Sequence, residues 1–393
     1  MTQYWIILLA IAVGTVFVAE KLKQPYPTLL VVVGLIIGIT PIPALDEVKG
    51  FAASDHIFQT TIILIFLSAL LGDAALKLPI DELKKNKKPI ILLAFLGTFL
   101  TFLIVSTLSY FILKLTLQQA LIFGALMAAT DPVSVLSIFK SMGLNKRLSI
   151  IVEGESLAND GVAVVLFKIA LVTTVLTFSG VLHGSVEFVK VVSGGLLIGG
   201  VCGFLASRIT SRIDQYLVEI GLSIIVFYGA FELAEHFHLS GVIAVVTAGL
   251  ILGTYGKNIG MSDLTLEKMD SFWEVIAFIS NSLIFLMVGL EVGSINFLDK
   301  GFIIVGSIAI VIFARCVAVY GSLTLDKSIP LAWKHVIAWG GLKGSLSIAL
   351  ILSVSPSFEG RELLLALTFS NVVFSLLGQG TTLKKLVTVL RVK

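Results

Sequence analysis

The chain has 393 residues, of which 57% are hydrophobic and 13% charged, against about 25% charged in a soluble domain. This composition excludes a water-soluble globule and a disordered chain, and a formal charge of +3 cannot build a surface for nucleic acid. The two cysteines, Cys202 and Cys316, lie in separate apolar runs and read as packing residues.

A bilayer-crossing helix needs about 20 mainly apolar residues, because lipid offers no partner to a free backbone group. In chain order the pattern predicts spans near 4–19, 26–40, 57–76, 89–113, 119–139, 149–176, 186–206, 217–234, 240–256, 272–295, 301–322, 334–353 and 362–380, thirteen in all. The first has no Lys or Arg ahead of it and reads as a retained helix, not a cleaved signal. With the N-terminus outside, 20 of the 28 Lys and Arg fall in inward loops, four in outward loops and four within spans. That asymmetry predicts a multi-pass protein of the plasma or inner membrane with a cytoplasmic C-terminus.

An ionisable residue at mid-bilayer costs about 2.5–3.5 kcal/mol, so such residues are functional candidates. In the second span Gly34 and Gly38 repeat at a spacing that lets helices approach closely. Asp73, at the end of the third, reads either as an interfacial acid or as an auxiliary member of an ion site. The fifth span contains Thr130-Asp131-Pro132, where proline removes a backbone donor and breaks the helix. Asp131 then faces the positive end of the second half-helix, and freed oxygens such as those of Ala128 or Thr130 are available to a cation.

The sixth span carries Glu153, Glu155, Ser156, Asn159 and Asp160. At 3.6 residues per turn Ser156, Asn159 and Asp160 share a face, a carboxylate among neutral oxygen donors that suits a hard monovalent cation. Glu155, on the flank, requires a cation of its own, and Arg315 in the eleventh span is paired with it as a structural bridge. Glu153 reads as a solvated residue near the membrane edge. Gly195, Gly199 and Gly203 in the seventh span read as packing glycines, and His236 and His238 as surface residues. The twelfth span contains Gly340-Gly341-Leu342-Lys343-Gly344, a second break with a lysine able to neutralise the negative end of a half-helix. The fifth and twelfth spans occupy matching places in two inverted halves, the pattern of a transporter binding site.

Ala129-Thr130-Asp131-Pro132-Val133, Gly154-Glu155-Ser156-Leu157-Ala158-Asn159-Asp160-Gly161, Phe313-Ala314-Arg315 and Gly340-Gly341-Leu342-Lys343-Gly344 together resemble the signatures of the monovalent cation:proton antiporter-1 family, of the NhaP/NHE type. The resemblance implies an all-α polytopic fold of about thirteen helices, with two inverted six-helix repeats and crossed broken helices. It further implies a homodimer, with dimerisation-side helices in 1–88 and 207–296, an ion-binding core in 89–176 and 300–380, a linking helix at 177–206 and a short basic cytoplasmic tail at 381–393. Residue by residue, it implies that Asp160 is the carrier carboxylate, that Thr130, Asp131 and Ser156 line the cation site, and that Glu155 and Arg315 form a core bridge. Asn159 stands where electrogenic relatives carry a second Asp, and Asp73 where some members have an acid near the ion. Lys343 replaces the Arg that the family commonly has, which keeps the charge and loses the planar fork. The long regulatory cytoplasmic domain of many members is expected to be missing.

The expected activity is exchange of Na⁺, or Li⁺ or K⁺, for H⁺, electroneutral and one-for-one, with no cofactor and no enzymatic chemistry. Burial disfavours a bare carboxylate, so a proton and a cation compete for Asp160, with Asn159 and Asp73 counted among the site residues. Asp131 with Asp160 matches an intramembrane aspartyl protease only minimally, because the Tyr-Asp and Gly-x-Gly-Asp contexts are missing around them. A cation channel would need filter loops or charged rings. The partners expected are lipid, small cations and a second copy of the chain.

Overall fold

A computed structural model of the chain describes residues 2–22, 25–40, 47, 65–175, 178–292 and 300–392, and among these there is no strand. The long helices in chain order are α1 (Thr2–Leu22), α2 (Tyr26–Ile39) and α3 (Ser68–Lys77), α4 (Lys87–Ile112) and α5 (Leu117–Met142), α6 (Lys146–Val172), α7 (Phe178–Thr210) and α8 (Tyr216–His236). They continue with α9 (Gly241–Ile259), α10 (Asp263–Val292), α11 (Gly301–Leu323), α12 (Leu331–Trp339 and Ser345–Leu352) and α13 (Arg361–Val389).

Nine of these are long and apolar enough to cross a membrane among the described residues. Four expected spans are not among these nine. α2 is 14 residues long, and residues 57–64 of the third run lie outside the described residues. α6 carries Glu153, Glu155, Asp160 and Lys168 within its apolar stretch, and α12 is divided at residues 340–344. Within the expected basic tail at 381–393, Thr381–Val389 is helical, with Leu383 and Val387 buried. The helix starting at Phe178 runs to Thr210, four residues past the expected end.

Small residues set which helices touch. α10 lies along α2, where a Cβ on Gly34 would stand 2.2 Å from the Leu286 carbonyl and one on Gly289 2.3 Å from that of Val31. α7 lies along α9, and a Cβ on Gly199 would stand 2.2 Å from the Ala244 carbonyl, so only glycine permits this approach. α4 packs against the first half of α5 and against α11, while α3 packs against α9 and α10. In the apolar stretches of α5 and α10, 72% of residues are buried, against 22% in α1 and α7. The first pair is therefore central and the second peripheral.

Local sequence aims α5 and α6. Thr116 and Gln119 form a reciprocal capping box at the start of α5, the Thr116 hydroxyl accepting from Gln119 N at 3.3 Å and Gln119 Oε1 from Thr116 N at 3.1 Å. Gly143, with φ of +63°, closes α5, and Asn145 Oδ1 accepts from Arg147 N at 2.8 Å to open α6.

Candidate functional site

α5 stops at Ala128 and resumes at Val133, and α12 stops at Trp339 and resumes at Ser345. The two breaks cross. Asp131 N donates to the Leu342 carbonyl at 2.8 Å, so the extended segments are joined by their main chains. Lys343 Nζ donates to the carbonyls of Met127 and Ala129 at 2.6 and 3.0 Å, which places its charge at the negative end of the first half of α5. Ser347 Oγ donates to the Leu126 carbonyl at 2.7 Å. Asp131 Oδ1 accepts from Val133 N at 2.9 Å and caps the second half of α5. Gly344 lies flat against Asp131: a Cβ there would be 2.2 Å from both Cβ and Oδ2 of the aspartate.

α6 fastens this crossing from one side. Ser156 Oγ donates to the Thr130 carbonyl, Asn159 Nδ2 donates to Thr130 Oγ1 at 2.7 Å, and Asn159 Oδ1 accepts from Thr130 N at 3.4 Å. The Thr130 carbonyl expected to be available to a cation accepts one hydrogen bond from Ser156, which leaves it a second lone pair, and the lysine binds the two carbonyls on either side of Ala128. Asn159, expected among the cation- and proton-binding residues, is fully buried and off the cavity wall, its amide bonded to Thr130. Adjacent helical residues diverge by about 100°, so Asn159 and Asp160 do not face one centre.

Arg315 Nη1 donates to Glu155 Oε1 at 2.6 Å, with side chains 6% and 1% exposed, and Nη2 donates to the Ile337 carbonyl at 3.3 Å. Arg315 thus supports α12 just before its break. Neither cation holds Asp160: Arg315 is on Glu155, and Lys343 is on main-chain carbonyls.

A cavity of about 180 Å³ lies beside the crossing, with Thr130, Asp131, Ser156 and Asp160 on its wall. Asp160 Oδ1 and Asp131 Oδ2 are enclosed and accept no hydrogen bond from the described residues. Asp160 is within electrostatic reach of Asp131 and Lys343. A buried charge without a partner is costly, so this arrangement favours a proton or a small cation on these oxygens.

Asp73 is on the same wall, ion-paired with Lys77 at 2.7 Å. The sequence reading missed Lys77 and Asn281 on that wall, and Glu153, expected near the membrane edge, is half-buried and faces the cavity. The signal for Glu153 was present, since Glu153, Ser156, Leu157 and Asp160 follow i, i+3, i+4, i+7 and share a face. Asn281 is neutral and sits on a helix carrying no mid-span charge, so a search for intramembrane charges passes over it. The cavity extends from Asp160 toward the start of α6 and the end of α3, where the basic loops lie. At the other end of α6, Lys168 Nζ donates to both carboxylate oxygens of Glu235 on α8 at 2.7 and 2.8 Å and to the Leu239 carbonyl at 3.1 Å.

Residues 7–389 match the transmembrane sodium/hydrogen exchanger family. The chain is 53% identical over 380 residues to the Na⁺/H⁺ antiporter NhaG of Bacillus atrophaeus, covering 96% of this chain and 72% of the relative. It is 47% identical over 386 residues to the Na⁺/H⁺ antiporter NhaH of Halobacillus aidingensis, covering 97% and 96%. In fold it is similar to the sodium proton antiporter MjNhaP1 of Methanocaldococcus jannaschii, with a TM-score of 0.79 at 22% identity over 99% of this chain and 98% of that one.

Proposed function

The chain belongs to the sodium/hydrogen exchanger family, and from that premise we propose that it is a secondary active antiporter exchanging Na⁺ for H⁺ by competition at Asp160. The observation that carries this reading is the pair of enclosed carboxylate oxygens, Asp160 Oδ1 and Asp131 Oδ2, on a cavity wall furnished with Thr130 and Ser156.

The mechanism follows from charge. With a proton or a monovalent cation bound, Asp160 contributes the same net charge to its surroundings, whereas the bare carboxylate carries one negative charge more. Moving that bare charge through a low-dielectric region is disfavoured, so the carrier crosses loaded, and opposite gradients drive one-for-one exchange. Asp131 keeps its cap on α5 while turning Oδ2 to the cation. Asn159 positions Thr130. Lys343 and the Glu155–Arg315 pair hold the crossing in shape, with their charges compensated at their own sites.

The proposal includes alternating access. In the state seen here, the cavity reaches toward the start of α6, and the Lys168–Glu235 pair ties the other end of α6 to α8. Helices in 89–176 and 300–380 act as the moving core, those in 1–88 and 207–296 as the dimerisation side, and α7 as the link. A homodimer in the plasma or inner membrane, N-terminus outside, completes the reading, with the distribution of Lys and Arg supporting that orientation.

The test is cation-induced recovery of a pH-sensitive dye in acid-loaded proteoliposomes, comparing Na⁺, Li⁺ and K⁺. Wild-type protein is expected to respond to Na⁺ and Asp160→Asn to give none. Proton-coupled sodium flux of wild-type size in Asp160→Asn would refute the reading.

A further inference from the structure

The Asp73–Lys77 pair has the spacing of an ordinary i, i+4 helix pair, which at a surface contributes little. Its place is different. Both residues lie on the wall of the cavity that holds Asp160, and their side chains are only 16% and 30% exposed. Asp73 and Lys77 are both within electrostatic reach of Glu153, the other acid toward that end of the cavity. Lys77 therefore supplies a covalently tethered ammonium within the route a cation takes to Asp160.

A second cavity of about 270 Å³ adjoins the first, with Asp81, Thr254, Lys257, Asn258 and Asp270 on its wall. Among the described residues Lys77 is the one shared by both walls. Asp270 is itself within electrostatic reach of Asp73. A lysine ammonium is a point charge on a flexible four-carbon stem with rotatable donors. Asp81 and Asp270 are the carboxylates on the second wall toward which that stem can turn.

We propose that Lys77 is a tethered competitor of the transported cation, occupying Asp73 at the cavity entrance and swinging into the second cavity toward Asp81 and Asp270 when a cation arrives. Lys77 thereby sets the apparent affinity for the cation, while Asp160 sets the exchange itself. This inference rests on the antiport reading above and concerns its specificity.

The experiment compares wild type, Lys77→Gln, Lys77→Arg, Asp73→Asn and the double variant Asp73→Asn/Lys77→Gln in the same proteoliposome assay. The Na⁺ concentration that half-saturates thermal stabilisation of each purified chain is read in parallel, so a chain that binds without transporting still reports. Lys77→Gln is expected to lower the apparent KM for Na⁺ by roughly two- to fivefold, the ratio an ion pair of this exposure is worth, with kcat not following in proportion. Lys77→Arg is expected to keep the wild-type KM. In the Asp73→Asn background the effect of Lys77→Gln is expected to vanish, because there is no carboxylate left to compete for. An unchanged or raised KM in Lys77→Gln overturns the proposal, as does an equal fall in the Asp73→Asn background, which would be a general field effect. Failure of the antiport reading looks different: wild type itself then shows neither cation-driven proton movement nor stabilisation by Na⁺.

Discussion

Replacing Arg315 by Met leaves Glu155 as a buried carboxylate whose one ion-pair partner among the described residues is gone. The two side chains are 6% and 1% exposed and 2.6 Å apart, so water cannot readily take the place of the guanidinium. Breaking such a pair from one side costs about 3–5 kcal/mol, and the bond to the Ile337 carbonyl is lost as well. With about 2.1 cal/mol/K of unfolding entropy per residue, that cost over 393 residues is a fall of roughly 4–6 °C in the unfolding midpoint. The double variant Glu155→Leu/Arg315→Met removes both charges and is expected to recover more than half of the loss, because no uncompensated charge remains. Thermal unfolding of the detergent-purified chains measures both values. A wild-type midpoint in Arg315→Met, or a double variant that falls by the sum of the two single changes, would refute the reasoning.

Gly344→Ala places a methyl group 2.2 Å from Asp131 Cβ and Oδ2. The aspartate is displaced, and the apparent KM for Na⁺ in proteoliposomes is expected to rise at least several-fold while the purified chain still elutes as a folded species. Asn159→Asp keeps an acceptor for Thr130 N and loses the donor to Thr130 Oγ1. It is expected to cost about 1 kcal/mol or more of stability for a buried hydrogen bond, seen as a lower unfolding midpoint, and to make transport respond to an imposed membrane potential. Transport indifferent to potential, together with an unchanged midpoint, would remove Asn159 from the account.

The helices were legible because lipid demands long apolar runs, and the charged residues within them were conspicuous for the same reason. Both breaks followed from local chemistry, Pro132 in one and three glycines in the other. Their crossing did not, since the Asp131–Leu342 main-chain bond joins residues some two hundred positions apart and no local pattern encodes it. The partner of Lys343 was legible only as the negative end of some half-helix; the tertiary arrangement selects that of α5. Asn159 shows the limit of helical-wheel reasoning: spacing assigns a residue to an arc, and a neighbour about 100° away can meet a different partner. The widened turns at Leu92–Gly97, Leu252–Gly256 and Ser375–Gly380 leave no mark in hydropathy. Glu153 lies far from the span centre yet shares a face with Asp160, and that face places it on the cavity wall.

Competition for one carboxylate has a direct kinetic consequence. The apparent KM for Na⁺ of the wild-type protein, measured in proteoliposomes over a series of pH values with saturating rates recorded at each, is expected to rise as pH falls, by up to about tenfold per unit where the proton dominates the site. The saturating rate is expected to change far less. An apparent KM that stays constant across the series would mean that proton and cation occupy separate groups, and it would contradict exchange at Asp160.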